Sequence, residues 1–259
     1  HQFWQLALLQ RVAVSQPLVV WLKVDTGMHR LGIPLTACTQ VWEQLRACTS
    51  VKEIRLMSHL ACADDADHPL NRSQREGFAA LVQTTGAVSS LANSAGLLRG
   101  ESFQFQWVRP GLMLYGATPL AESSAEELNL QPAMQLESRI ISTSVVPAGE
   151  TVGYSATWRA AKDTSIGVVA IGYGDGYPRH VSPEAFVLIK GQRCPLVGRV
   201  SMDMLTVDIS NVPDATLETP VILWGKGLPV EWVARWAGTI NYELLCQVTD
   251  RVERVYTAG

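Results

Sequence analysis

Along the first half of the chain, short apolar runs alternate with stretches whose apolar residues share one helical face. Phe3, Leu6 and Leu9 repeat at helical spacing, as if the chain entered partway through an amphipathic helix. Residues 17–24 (PLVVWLKV) predict a buried strand that ends in the turn Asp25-Thr26-Gly27. A helix over 35–48 follows, with Val41 and Leu45 inward, then a strand over 54–60 and a helix over 71–85 with Phe78, Leu81 and Val82 on one stripe. A third strand is expected at 88–92 and a fourth short apolar element at 107–115. Strands alternating with helices imply parallel βαβ units, in an open sheet or a barrel. A complete eight-stranded barrel takes about 250 residues, and this half supplies about half of that.

The segment 121–131 (AESSAEELNLQ) is polar and reads as a linker. Beyond it helical periodicity nearly disappears. Strand-like runs recur between Gly and Pro signals at 136–146, 165–171, 185–189, 204–209, 220–223 and 247–256. One helix is expected at 229–237, with Val230, Val233, Ala234 and Ala237 inward. The spacing predicts a compact β domain. The division expected is an α/β domain over 1–129 and a mainly β domain over 130–259.

Composition changes this picture little. At 47% hydrophobic, 17% charged and a formal net charge of −3, the chain reads as a soluble globular protein without the basic footprint of a nucleic-acid or anionic-membrane binder. No apolar run approaches the roughly 18 residues of a spanning helix. Cys38, Cys48, Cys62, Cys194 and Cys246 are scattered and odd in number, which predicts buried thiols in a reducing cytoplasm rather than a disulfide framework or zinc site. The chain opens on His1-Gln2-Phe3-Trp4 without signal-peptide features and reads as a fragment.

The polar residues of interest sit just after the predicted strands, where α/β enzymes place their sites. They are Lys23 to Arg30 after the first strand, Ser58-His59 and Asp64-Asp65 after the second, and Asn93-Ser94-Ala95-Gly96 after the third. Arg109-Pro110-Gly111-Leu112 lies within the fourth element. Such a set can hold a phosphate through Ser94 and peptide N–H groups, and a carboxylate through an arginine fork. Taken singly, Ser94 beside glycine also fits turn chemistry, His59 a satisfied half-buried histidine, and Arg109 an ordinary ion pair. Asp25-Thr26-Gly27 matches the aspartic-protease tripeptide, but no second copy exists to share the proton. His59, Asp64, Asp65, Asp67 and His68 are dense in possible metal ligands, yet their spacing fits no ligand turn, so no metal is expected. Gly172 to Gly176 is not a dinucleotide fingerprint.

Taken in order, WLKVDTGMHRLGI (21–33), MSHLACADD (57–65), LANSAG (91–96), WVRPGLMLYG (107–116), VGYSAT (152–157), IGYGDGYPR (171–179), GRVSMDM (198–204) and NYELLC (241–246) resemble the alanine racemase family. The resemblance implies the C-terminal part of a (β/α)8 barrel that holds pyridoxal 5'-phosphate, followed by a mainly β domain. It also implies a head-to-tail homodimer in which the β domain of one copy completes the site of the other. The implied reaction is two-base interconversion of L- and D-alanine in a bacterial cytoplasm, for peptidoglycan or alanine catabolism. The alternatives are a racemase of another small amino acid such as serine, or a non-catalytic remnant acting through subunit association.

The resemblance assigns Tyr154 as one of the two bases. His59 would hydrogen-bond it, and Arg109 would contact both His59 and the pyridine nitrogen. Because arginine does not readily give up a proton, that nitrogen would stay unprotonated. Ser94 and the N–H groups of Gly111 and Leu112 match phosphate contacts. Arg30 matches the residue meeting the substrate carboxylate and the cofactor's phenolic oxygen, and Lys23 a lysine often carbamylated to position that arginine. Met202 matches a backbone N–H toward the substrate carboxylate. Tyr173, Arg179, Arg199 and Asp64 match a narrow entrance that limits substrate size.

Three features depart from the family pattern. The other base, a Schiff-base lysine in a V-K-A-N-A-Y-G-H-G segment, has no match around Lys23, Lys52, Lys162, Lys190 or Lys226, so the chain as given is not expected to racemise alanine at a meaningful rate. Some members place a phosphate-binding tyrosine where Thr249-Asp250-Arg251 stands, and Ser201 stands where others have cysteine.

Overall fold

The computed structural model describes residues 1–257, which form two compact units, one of residues 1–114 with 118–128, the other of 115–117 with 129–257 among those described.

The first unit is built from α1 (Phe3–Arg11), β1 (Leu18–Asp25), β2 (Ile33–Pro34), α2 (Leu35–Arg46), β3 (Val51–Met57), α3 (Pro69–Thr85), β4 (Ser89–Asn93), α4 (Ser94–Leu98) and β5 (Trp107–Arg109). The strands lie in the order β2-β1-β3-β4-β5, all parallel. Alternation along β1 and β3 sends Leu22, Val24, Ile54 and Leu56 into a core with Val41, Leu45, Phe78 and Leu81. The opposite face carries Trp21, Lys23, Arg55 and Met57, paired in register as Trp21↔Arg55 and Lys23↔Met57. Side chains two apart point the same way, so Lys23 comes off this face at the strand's carboxyl end.

Helix α3 shows how local signals set its limits. His68 Nδ1 accepts the Leu70 N–H at 3.2 Å, Pro69 opens the first turn, and Gly86 closes the helix in the left-handed region at φ 66°. Each device satisfies, or needs no partner for, a terminal peptide group.

The second unit is antiparallel. Its strands are β6 (Leu136–Val146), β7 (Thr151–Val152), β8 (Trp158–Arg159), β9 (Thr164–Val169), β10 (Phe186–Ile189), β11 (Gln192–Pro195), β12 (Leu205–Asp208) and β13 (Pro220–Trp224). Two helices, α5 (Val230–Ala237) and α6 (Asn241–Gln247), follow. Six strands run in the order β11-β10-β13-β6-β9-β12, while β7 pairs with β8. The bridge Leu196↔Val207 and the Val197 N–H to Thr206 O bond join the two ends of the six-stranded sheet, closing it on itself. Closure removes exposed edges. Inside lie Ile140, Val169, Val187, Leu205 and Val207, and Tyr177 stacks on Trp224 at 6.2 Å between ring centroids.

The strand expected at 247–256 is not formed. Residues 241–247 are helix α6, and the backbone beyond it is occupied otherwise: Thr249 N–H bonds Asp175 O, Thr249 Oγ1 bonds Gly174 O, and Gln247 Nε2 bonds Gly176 O. Peptide and side-chain groups spent on a loop are not available for a ladder. No helix among the described residues is long and apolar enough to cross a membrane.

Candidate active site

The carboxyl ends of β1, β3, β4 and β5 bring together most of the first unit's candidate residues. Arg109 is the hub. Its Nη1 donates to Ser90 Oγ at 2.5 Å, and its Nη2 to Ser58 O at 2.6 Å, to Leu91 O at 3.2 Å and to His59 Nδ1 at 3.4 Å. Nη2 has two hydrogens for three acceptors, so the longer contacts to Leu91 O and His59 Nδ1 share one of them. With His59 Nδ1 accepting, the proton of the neutral imidazole sits on Nε2, free to donate elsewhere.

Electrostatics at this end of the sheet are one-sided. Burial, then the charges of Arg109, Lys23 and Arg30, push the His59 pKa down to about 4. Burial followed by Arg109 and Arg30 lowers that of Lys23, and only Asp25 acts the other way. Burial lowers that of Arg109 as well. Arg30 has no ion-pair partner among the described residues. Three basic groups opposed only by Asp25, whose charge acts on Lys23, suit an anionic ligand, since each uncompensated charge here is costly until one arrives.

Arg30 itself sits past a tight turn. Asp25 Oδ1 accepts the N–H groups of Gly27 and His29, both at 3.0 Å, and Oδ2 pairs with His29 Nδ1 at 3.0 Å. Burial alone would raise the Asp25 pKa, but these hydrogen bonds outweigh it and hold the carboxyl below its usual range.

Ser94 lies buried at the β4–α4 junction. Its Oγ accepts the N–H of Gly111 at 2.9 Å and of Met113 at 3.4 Å, leaving its own hydrogen to donate. Gly111 N–H is therefore turned onto Ser94, while Leu112 is buried beside it. Gly111 has open space where a Cβ would lie. Asp64 is exposed on the turn after β3, held through its backbone carbonyl by Arg99 Nη2 at 2.8 Å. The neighbouring acids serve that turn: Asp65 Oδ1 accepts the Asp67 N–H and His68 caps α3. No group of metal-binding residues occurs among the described residues.

In the second unit Tyr154 stands 70% exposed on a one-turn helix, followed by Ser155 and Ala156 at φ 64° and 48°. Two consecutive left-handed L residues are strained, a feature that clusters at functional loops. Tyr173 and Met202 are tied together, with Tyr173 N–H bonding Ser201 O at 3.0 Å and Gly174 N–H bonding Met202 O at 2.8 Å. The Met202 N–H has no hydrogen-bond partner among the described residues. Arg199 is exposed on the same 198–204 loop, against Gly153. Arg179 is exposed and bonds His180 Nε2 at 3.3 Å.

Sequence reasoning missed Ser90 and Gln74. Each is a buried polar residue where the local pattern calls for an apolar one. Gln74 and Asn71 continue the inward stripe of Phe78 and Leu81 on α3, and that interruption was the signal.

Two family models match the chain: "Alanine racemase, N-terminal domain" over residues 1–119 and "Alanine racemase, C-terminal domain" over residues 133–256. An alanine racemase of Nitrosococcus oceani is 48% identical over 255 residues, covering 98% of this chain and 71% of the relative. The crystal structure of the biosynthetic alanine racemase from Pseudomonas aeruginosa superposes with a TM-score of 0.91 at 50% identity, over 95% of this chain and 68% of that one. An alanine racemase from Bartonella henselae, solved with covalently bound pyridoxal phosphate, matches with a TM-score of 0.83 at 29% identity, over 98% of this chain and 70% of that one.

Proposed function

The chain belongs to the alanine racemase family, and from that premise we propose that it carries the binding and one-base half of a pyridoxal-phosphate-dependent interconversion of L- and D-alanine. The observation that carries the proposal is the grouping of the cations Lys23, Arg30 and Arg109 around a neutral His59, beside Ser94. That donor set fits a ligand with a phosphate, a phenolate oxygen and a neutral ring nitrogen. Bound pyridoxal phosphate withdraws electron density from the α-carbon of an attached amino acid, which makes its proton removable.

The chain's own residues divide the rest of the work. Ser94, through its own hydroxyl hydrogen, and the N–H of Leu112 would hold phosphate, the Gly111 N–H being given to Ser94 Oγ. Arg109 would face the ring nitrogen and, because a guanidinium does not readily yield a proton, would leave that nitrogen unprotonated. This restrains electron withdrawal and favours return of the proton to carbon. Arg30 neutralises the substrate carboxylate with help from the Met202 N–H. The depressed pKa of Lys23 leaves a larger neutral fraction of the amine, the form that takes up carbon dioxide, and the resulting carbamate would position Arg30.

Tyr154 removes or returns the α-proton from one face. An ordinary phenol titrates near 10, so the tyrosine needs a donor such as His59 Nε2–H and nearby cations to act near neutrality. Its exposure fits delivery to a second copy, giving a head-to-tail homodimer, and Tyr173, Arg179, Arg199 and Asp64 border the approach. The whole operates in the cytoplasm.

The V-K-A-N-A-Y-G-H-G lysine motif is not among these 259 residues. Fusing the corresponding leading segment of the Nitrosococcus oceani relative ahead of His1 is expected to yield a protein that binds pyridoxal phosphate and racemises alanine, followed by chiral chromatography. Tyr154→Phe in that chimera should lower kcat by about 10²–10⁴-fold, the span of positioned acid–base catalysis, with cofactor uptake retained. A chimera that takes up cofactor yet turns over alanine equally well with Tyr154→Phe contradicts the assignment.

A further inference from the structure

Gln74 lies on α3, far along the sequence from the residues it touches, and its side chain is fully buried. Its Nε2 donates to Thr26 Oγ1 at 3.1 Å and to the His59 carbonyl at 2.9 Å, and its Oε1 accepts the Ala61 N–H at 2.9 Å. Thr26 Oγ1 is in turn 2.8 Å from Ser58 Oγ, which donates to Val24 O at 2.8 Å. Ser58 O receives the Arg109 bond already described. A Cβ on Gly27 would lie 3.7 Å from Gln74 Cγ, so the amide stem also underlies the turn leading to Arg30.

One amide thus links the loop after β1, the loop after β3 and, through Ser58, the β5 arginine. Both amide hydrogens are spoken for, and a buried polar group with all donors satisfied is directional where an apolar side chain is not. A helix interior does not require glutamine at this place; Met or Leu fills similar volume. The two loops share no backbone hydrogen bond beyond the strand ends, so the amide supplies the registration that the parallel ladder stops supplying after Met57.

We propose that Gln74 is a positioning residue that holds the Arg30 loop and His59 in fixed relation to Arg109, so that the cations and the imidazole meet one anionic ligand in register. The proposal rests on the racemase reading for the identity of that ligand, while the geometric claim concerns this chain alone.

The test uses protein labelled with ¹⁵N-histidine and followed by NMR. Lys23 from β1, Arg30 from its loop and Arg109 from β5 face His59 and keep its ring neutral, so its nitrogens should remain at neutral-imidazole shifts down to pH 5.5. Gln74→Met, similar in length but without hydrogen-bonding atoms, should raise the His59 midpoint by about one pH unit and weaken pyridoxal phosphate binding about tenfold, as loss of an outer supporting contact does elsewhere. A variant that melts earlier yet keeps both midpoint and affinity overturns the proposal, leaving Gln74 as packing. Should Gln74→Met fail to fold, Thr26→Val cuts the same link from the loop side, and the same two readouts decide. Failure of the chimera carrying the lysine segment to bind pyridoxal phosphate would overturn the functional reading, while the comparison of His59 midpoints still judges the role of Gln74.

Discussion

At the scale of single residues, the site works by crowding like charges around a neutral imidazole. That arrangement has a stability signature. An unfolded histidine titrates near 6.5, whereas folded His59 titrates at about 4. Above 6.5 both states are neutral at this position and its contribution is fully present. Between about 6.5 and 4 only the unfolded chain takes up the proton, so stability falls as pH falls, and below 4 the loss is complete. The slope from this group should stay somewhat under the one-proton limit of about 1.4 kcal/mol per pH unit, because the unfolded and folded titrations lie close enough to overlap at their edges. Urea denaturation at pH 7, 5.5 and 4.5 tests this, with His59→Asn expected to flatten the dependence. Lys23, His59, Ser94 and Arg109 were readable from sequence because they punctuate strand ends. Gln74 and Ser90 were not, because burial of a polar side chain has no signature other than a broken apolar stripe, and its partners lie many residues away.

At the scale of elements, legibility followed local periodicity. The strand over Leu136–Val146 and the helices over Leu35–Arg46 and Val230–Ala237 carry regular patterns, and they form close to where those patterns lie. β11 was not visible: Gln192–Pro195 is polar and its pairing to Phe186–Ile189 is decided across the hairpin. The reverse error at 247–256 arose because its apolar residues, Val248, Val252, Val255 and Tyr256, do not alternate, and only Val248 is buried while Val255 and Tyr256 stand exposed. The loops bearing Tyr173 and Met202 depend on close backbone approach instead of periodicity. A Cβ on Gly172 would come within 2.2 Å of Ser201 O and 2.4 Å of Met202 O. Gly172→Ala should therefore destabilise the protein by at least about 1–3 kcal/mol, the usual cost of overfilling a packed site, and displace Met202. A lower thermal midpoint together with altered Met202 methyl resonances would register both effects; an unchanged midpoint would show that the loops part without cost.

At the scale of the whole molecule, the candidate groups are divided between two units, imidazole and cations on one, tyrosine on the other. If a catalytic centre draws Tyr154 from a second copy, two individually inactive variants can rescue each other. Co-expressed Tyr154→Phe and Arg109→Met versions of the racemising chimera should recover about a quarter of the unmutated activity: random pairing gives half heterodimers, and each holds one intact centre out of two. Activity indistinguishable from the two parents would mean that both residues serve the same copy's centre.

The cationic grouping at the sheet's end has a consequence for anyone improving this protein in the laboratory. Selection for heat resistance in the ligand-free state would favour losing Lys23 or Arg30, because each removes mutual repulsion. The survivors would tolerate higher temperatures and no longer recognise what the repulsion was there to attract, so such screens need the anion present throughout.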